Sequence, residues 1–200
     1  MDNRQRIIEE AALLFRTYGI RAVTMDMLAN QMGISKRTIY EVFRDKNELL
    51  QGVLKWMTEK QREVLSKIMN ESGNVIEAIF KMLDLMMDHF QNMSPAFQMD
   101  IRKYRHNVLR NFDEKTEIPF LRINAEIVNQ GIKEGIFRED LDVQIINMCL
   151  FEVSKMSNDT ELFPPDDFLR KDVIRNVYIN YLRGISTQKG LDLINYYEKL

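Results

Sequence analysis

The sequence predicts an all-α protein, and three observations lead there. Its 200 residues include only 8 Gly and 4 Pro. Apolar residues recur at three- and four-residue steps, and no alternating run is long enough to build a sheet. Capping and turn residues then divide the pattern into about nine or ten helices. A first helix spans Arg4 to Tyr18, with Ile7, Ile8, Ala11, Leu14, Phe15 and Tyr18 on one face and Gly19 closing it. Thr24 is the N-cap of a second helix that carries Asp26 in its first turn, and Ser35 caps a third. The fourth starts near Asp45 and runs unbroken to about Asn70. Its inner stripe is Leu49, Leu50, Val53, Trp56, Met57, Val64, Leu65 and Ile68.

Ser72-Gly73-Asn74 breaks that pattern, and a helix from Val75 to about Gln91 follows. Ser94 caps the next, with Pro95 at its first position, and it reaches about Phe112. Pro119 starts another that ends at Lys133, and Gly135-Ile136-Phe137 is a connector. The helix from Leu141 to Met156 is apolar on nearly all sides, which predicts cover from its own domain and from a partner. Pro164-Pro165 precedes a last helix, Asp167 to Ile185, with Val173, Ile174, Val177, Tyr178, Tyr181, Leu182 and Ile185 as its stripe.

Composition sets outer bounds. The net charge is −2, but the charges are not evenly spread. Residues 1–55 carry nine Lys/Arg against seven Asp/Glu, and the remainder carries nineteen against twenty-three. The basic end is the one a polyanion would meet. Cys149 is the only cysteine, so there is neither an internal disulfide nor a cysteine pair for a metal. The first ten residues are too charged for a signal peptide, and no apolar run spans a membrane, so a cytoplasmic protein is expected. No phosphate loop, metal-ligand spacing or nucleophile–base pair supports an enzyme, and no cofactor is expected.

Residues 24–50 spell a helix-turn-helix. Ala29 is small enough for close helix approach, and Gly33 four residues on suits a turn that needs positive φ. Leu28, Met32, Ile34, Ile39 and Val42 supply the apolar contacts. Between Ile34 and Ile39 lie Ser35, Lys36, Arg37 and Thr38, where a major-groove reader places its base-contacting side chains. The alternative is an ordinary helical hairpin with a solvated face.

The window and its flanks, from Ile7 to about Leu50, resemble the tetracycline-repressor (TetR) family of bacterial transcription regulators. The matching residues are Phe15-Arg16-Thr17-Tyr18-Gly19, Thr24, Leu28-Ala29, Met32-Gly33-Ile34-Ser35-Lys36, Thr38-Ile39-Tyr40, Phe43 and Lys46-Asn47-Glu48-Leu49-Leu50. Further on, Gly131 to Asp142 looks like the family's bend before its dimerisation helices. The resemblance implies a DNA-binding domain at 1–47 and a helical ligand-binding and dimerisation domain at 48–200. It also implies a homodimeric repressor released from a palindromic operator by a small molecule. The alternative is a DNA-binding interaction protein of the same fold, controlled by a protein partner.

Arg37 is the best base reader by chemistry, because a guanidinium bonds guanine bidentately; its alternative is a phosphate contact or a solvated arginine. Thr38 and Lys36 join it at the bases, with a phosphate contact as the alternative for each, while Thr24, Ser35, Tyr40 and Lys46 are expected at phosphates. Candidate pocket residues are Trp56, Phe80, Met82, Leu83, Met86, Phe90, Met99, Tyr104, Phe112, Phe120 and Asn124, although aromatic and Met residues at helical spacing are core more often than cavity. Ile146, Cys149, Leu150, Val153, Ile174, Val177, Tyr178, Tyr181 and Ile185 are expected at a dimer interface in a four-helix bundle, with an intramolecular core as the alternative. His106, within the basic run from Arg102 to Arg110, meets either an anionic ligand or solvent.

Overall fold

The computed structural model describes residues 2–91, 94–97, 99–101 and 119–199, with side chains described throughout except at 89–91 and 119–122. All described secondary structure is helical apart from one isolated bridge pairing Phe137 with Ser186. The helices are α1 (Asn3–Tyr18), α2 (Met25–Met32), α3 (Lys36–Tyr40), α4 (Lys46–Glu71), α5 (Val75–Gln91), α6 (Pro119–Lys133) and α7 (Val143–Ser157). They are followed by α8 and α9. α8 runs through Arg170–Ile174, a π-helical turn at Arg175–Ile179 and Asn180–Ile185; α9 is Gln188–Tyr197. A further helical stretch covers 95–97 and 99–101.

These residues form two compact units. One takes the chain to Glu63 and the described part of 88–116; the other takes 64–87 and the described part of 117–200.

The first unit is organised by its caps. Thr24 accepts the Met27 N–H at 3.1 Å and starts α2, and Ser35 accepts the Thr38 N–H at 3.1 Å and starts α3. Asp45 accepts the Glu48 N–H at 2.9 Å, while the Glu48 carboxylate accepts the Arg44 N–H at 2.8 Å, so α4 begins on a reciprocal pair. Between α2 and α3, Gly33 sits at φ 65°, ψ 30°. There the Ile34 N–H reaches the Ala29 carbonyl at 3.0 Å and the Gly33 N–H reaches that of Asn30 at 3.2 Å. This double closure needs a left-handed residue and reverses the chain in one step. Ile7, Phe15, Leu28, Ile39, Phe43, Leu50 and Val53 fill the core beneath.

In the second unit, Asn74 caps α5 by accepting the Glu77 N–H at 3.0 Å, and Glu77 returns to the Gly73 N–H at 2.8 Å. Leu65, Ile79, Leu83, Ile127, Val128, Phe137, Leu150, Tyr178, Leu182 and Ile194 make its core. Asp142 caps α7 and places its start at Val143, two residues later than expected. α8 starts at Arg170, three residues later than expected. The sequence pattern predicts no helix beyond Ile185. α9 is there, capped by Thr187 and buried through Ile194. Val64 departs from the stripe assigned to α4: it is exposed, and Leu65 alone of that pair is buried.

Candidate DNA interface and regulatory cavity

The Ser35 cap sets α3 so that Ile39 points into the core and Ser35, Lys36 and Arg37 point outward. The Arg37 side chain is 88% exposed and pairs with Glu41 at 3.1 Å on the next turn. Lys36 pairs with Asp26 at 2.7 Å, and this hydrogen bond raises its pKa above the usual lysine value. Thr38 is half-buried with its hydroxyl 2.9 Å from that of Ser35. Tyr40 and Thr24 are exposed. Thr24 uses an oxygen lone pair for its cap and keeps its hydroxyl proton for another acceptor.

Lys46 was expected at a phosphate. In the structure its ammonium is half-buried and donates to the backbone carbonyls of Arg21, at 3.3 Å, and Val23. Burial pulls its pKa below the usual lysine value, and the Asp100 carboxylate pulls the other way. Sequence could not show this, because Lys46 meets those carbonyls across 23 to 25 residues of chain.

The second unit contains a cavity of about 20 Å³. Ile79, Met82, Leu83, Met86, Asn124, Ile127, Ser154 and Tyr178 line it. Met82, Leu83, Met86 and Asn124 were among the expected pocket residues. Phe80 instead stacks on Tyr197, with centroids 5.8 Å apart. Trp56 packs on the core of the first unit, and Met99 is exposed there. The Phe90 and Phe120 side chains, Tyr104, Phe112 and the run around His106 lie outside the described residues. Tyr178, assigned by sequence to a dimer face, is in the cavity wall, where burial pushes its hydroxyl pKa well above the usual tyrosine value. Among the described residues, the cavity wall carries no ionisable group other than that phenol. Asn158 lies beside it, its amide donating to the Met86 sulfur at 3.2 Å.

Of the other residues expected at a dimer interface, Leu150, Ile174 and Ile185 are buried within their own subunit. Ile146, Val153 and Tyr181 are half-buried against the same core, and Cys149 and Val177 are also half-buried. Burial, and then a hydrogen bond with Cys149, raise the Tyr181 pKa to about 12. The exposed apolar face of α7 falls on residues that sequence did not select: Ile145 at 61%, Met148 at 54% and Met156 at 40%. Periodicity found the helix but not its outward face, because a helix apolar all round gives no phase.

Among the described residues, no helix is long and apolar enough to cross a membrane, and no group of three His, Cys, Asp or Glu could hold a metal.

Residues 7–53 match the profile of "Bacterial regulatory proteins, tetR family". Over 192 residues the chain is 24% identical to the HTH-type transcriptional repressor KstR2 of Mycobacterium tuberculosis (strain ATCC 25618 / H37Rv), covering 94% of each. The solved structure of the ketosteroid transcriptional regulator KstR2 of Mycobacterium tuberculosis superposes with a TM-score of 0.57 at 22% identity, over 94% of this chain and 96% of that one. A TetR transcription regulator from Haloarcula marismortui gives 0.73 at 17% identity, over 92% and 98%. With a capped helix-turn-helix at its N-terminus and an all-helical remainder, the chain carries at residues 7–53 the DNA-binding domain of the tetR family of bacterial regulatory proteins, and it is a DNA-binding transcriptional regulator.

Proposed function

We propose that the protein is a homodimeric cytoplasmic repressor that reads a palindromic operator and leaves it when an uncharged, largely apolar small molecule enters the second unit. The observation that carries the DNA half is the outward array on α3: Arg37 exposed at the base-reading position, with Lys36 and Thr38 beside it. Thr24, Ser35 and Tyr40 are assigned to phosphates. Two copies of α3, one per subunit, read half-sites about one DNA turn apart.

The ligand class follows from the cavity lining. Aliphatic and methionine side chains dominate it, and Asn124, Ser154 and Tyr178 supply neutral hydrogen-bonding groups. A charged ligand buried there would lack a counter-ion, at a desolvation cost of several kcal/mol. The cavity as it stands holds roughly one water, so a ligand must open it. Met82 and Met86 suit that, being unbranched and adaptable. Release then follows from linkage: a ligand that prefers the opened state weakens DNA binding by the factor by which DNA weakens the ligand. The mycobacterial relative KstR2 is a ketosteroid transcriptional regulator; an apolar skeleton with few polar groups is the same chemical class. For the dimer, the exposed Ile145–Met148–Met156 face of α7 is the support.

The test is thermal stabilisation of the full chain by a graded panel of neutral sterols, fatty alcohols and their carboxylate counterparts. Stabilisation by neutral members, with matching loss of DNA binding, is expected. Stabilisation only by carboxylates, or by none, would overturn the ligand assignment and favour control by a protein partner.

A further inference from the structure

Residues 94–97 and 99–101 lie far from the helix-turn-helix in sequence, yet they are built into its unit. Phe97 is fully buried in the core that holds Ile7, Phe15 and Leu28. The Ser94 N–H donates to the Arg16 carbonyl at 3.1 Å. The helical stretch then closes on the residue that ends α1. Gly19 has φ 87°, and a Cβ there would lie 2.9 Å from the Ala96 Cβ and 3.2 Å from an Asp100 oxygen. Only glycine fits both that backbone and that approach.

Asp100 is 6% exposed, a depth at which a carboxylate needs defined partners. One oxygen accepts the backbone N–H of Arg21 at 2.8 Å, and the other lies 3.4 Å from the Arg21 guanidinium. The carbonyls of Arg21 and Val23 in the same loop are taken by the Lys46 ammonium. An acid from one segment and a base from the start of α4 therefore hold the backbone groups of a loop that has no regular secondary structure to satisfy them. That loop ends at Thr24, the N-cap of α2.

We propose that Asp100 is a positioning residue for DNA binding: with Lys46 it clamps the Gly19–Thr24 loop and so fixes where the α2 N-terminus meets the DNA backbone. The proposal rests on the DNA-binding reading. It gives Asp100 and Lys46 a role at the interface without either touching DNA. Loss of the clamp leaves α3 capped and folded but lets Thr24 and the first turn of α2 wander from the phosphates.

Two variants of the full chain test it, Asp100→Ala and Asp100→Asn, by hydrogen exchange and by binding to a short duplex carrying the selected palindrome over a range of salt. Asp100→Ala is expected to speed exchange from Arg21 to Met27 while the amides of α1 stay protected. Affinity should fall roughly tenfold, and the salt slope should become shallower by about one unit per half-site, since a phosphate contact is lost. Asp100→Asn keeps an acceptor for the Arg21 amide and is expected to restore part of the protection and part of the slope. Should Asp100→Ala fail to fold, Asp100→Asn alone carries the comparison with the wild type.

Unchanged exchange across the loop would overturn the clamp. A fall in affinity at an unchanged salt slope would also overturn it, because lost folded protein lowers binding equally at every salt concentration. A wild type that binds no DNA would overturn the functional reading and the positioning role together, while exchange would still show whether the clamp exists.

Discussion

Arg37→Ala separates base reading from phosphate contact. The side chain is 88% exposed and its one described partner is Glu41, an i,i+4 pair on a solvated face. Such pairs stabilise by about 0.3–0.5 kcal/mol, so the melting curve of the variant should nearly overlay that of the wild type. Binding is another matter. A bidentate arginine–guanine contact is worth about 1–3 kcal/mol of discrimination, which is roughly 5- to 150-fold in affinity at each half-site. The assay is competition between the selected palindrome and duplexes carrying each single-base change. The wild type should reject changes at one position per half-site, and Arg37→Ala should lose that rejection while keeping its preferences elsewhere. Equal weakening toward every sequence, with a shallower salt slope, would show that Arg37 neutralises a phosphate and would refute the base-reader assignment.

Other expectations follow from single residues. Gly33→Ala should cost about 1–2 kcal/mol, from the left-handed backbone alone, since a Cβ there meets nothing within 4 Å; a chemical-denaturation curve measures it, and an unchanged midpoint would refute it. Glu77 has its pKa lowered, first by Lys81 and then by the Gly73 N–H. Its contribution to stability is therefore present above the ordinary value of 4.5 and is lost as pH falls through the lower folded value. Glu77→Gln should flatten that part of the stability–pH curve, and an equally steep acid limb would contradict it. Met148→Glu, on the exposed face of α7, should leave the subunit folded and shift sedimentation toward monomer; an unchanged dimer would move the interface elsewhere.

What could be read from the sequence was what the chain decides locally. Thr24 and Ser35 act within three residues of themselves, and the two helix starts they cap are in the structure. Gly33 was legible for the same reason: the turn needs positive φ, and glycine supplies it. The clamp was not legible, because Asp100 and Arg21 are 79 residues apart and nothing in either neighbourhood asks for the other. Lys46 shows the same limit. Its position suggested a phosphate contact, but its carbonyl partners exist only after α1 and α2 have folded. Of the cavity lining, Met82, Leu83, Met86 and Asn124 stood among the sequence candidates, whereas Ser154 comes from a helix whose facing side the sequence left open and Tyr178 from a stripe that the sequence assigned to a dimer face. α9 was missed because its apolar signal is short, resting on Leu191, Ile194 and Tyr197 after a glycine-containing first turn.

The central claim is that this chain reads DNA sequence as a symmetric dimer through α3. Selection of random duplex DNA by the purified full-length chain at near-physiological salt, sequenced after several rounds, tests it most directly. The expected result is an enriched palindrome whose half-sites each contain a guanine that Arg37 requires. A folded, ligand-free dimer that enriches no sequence would contradict it.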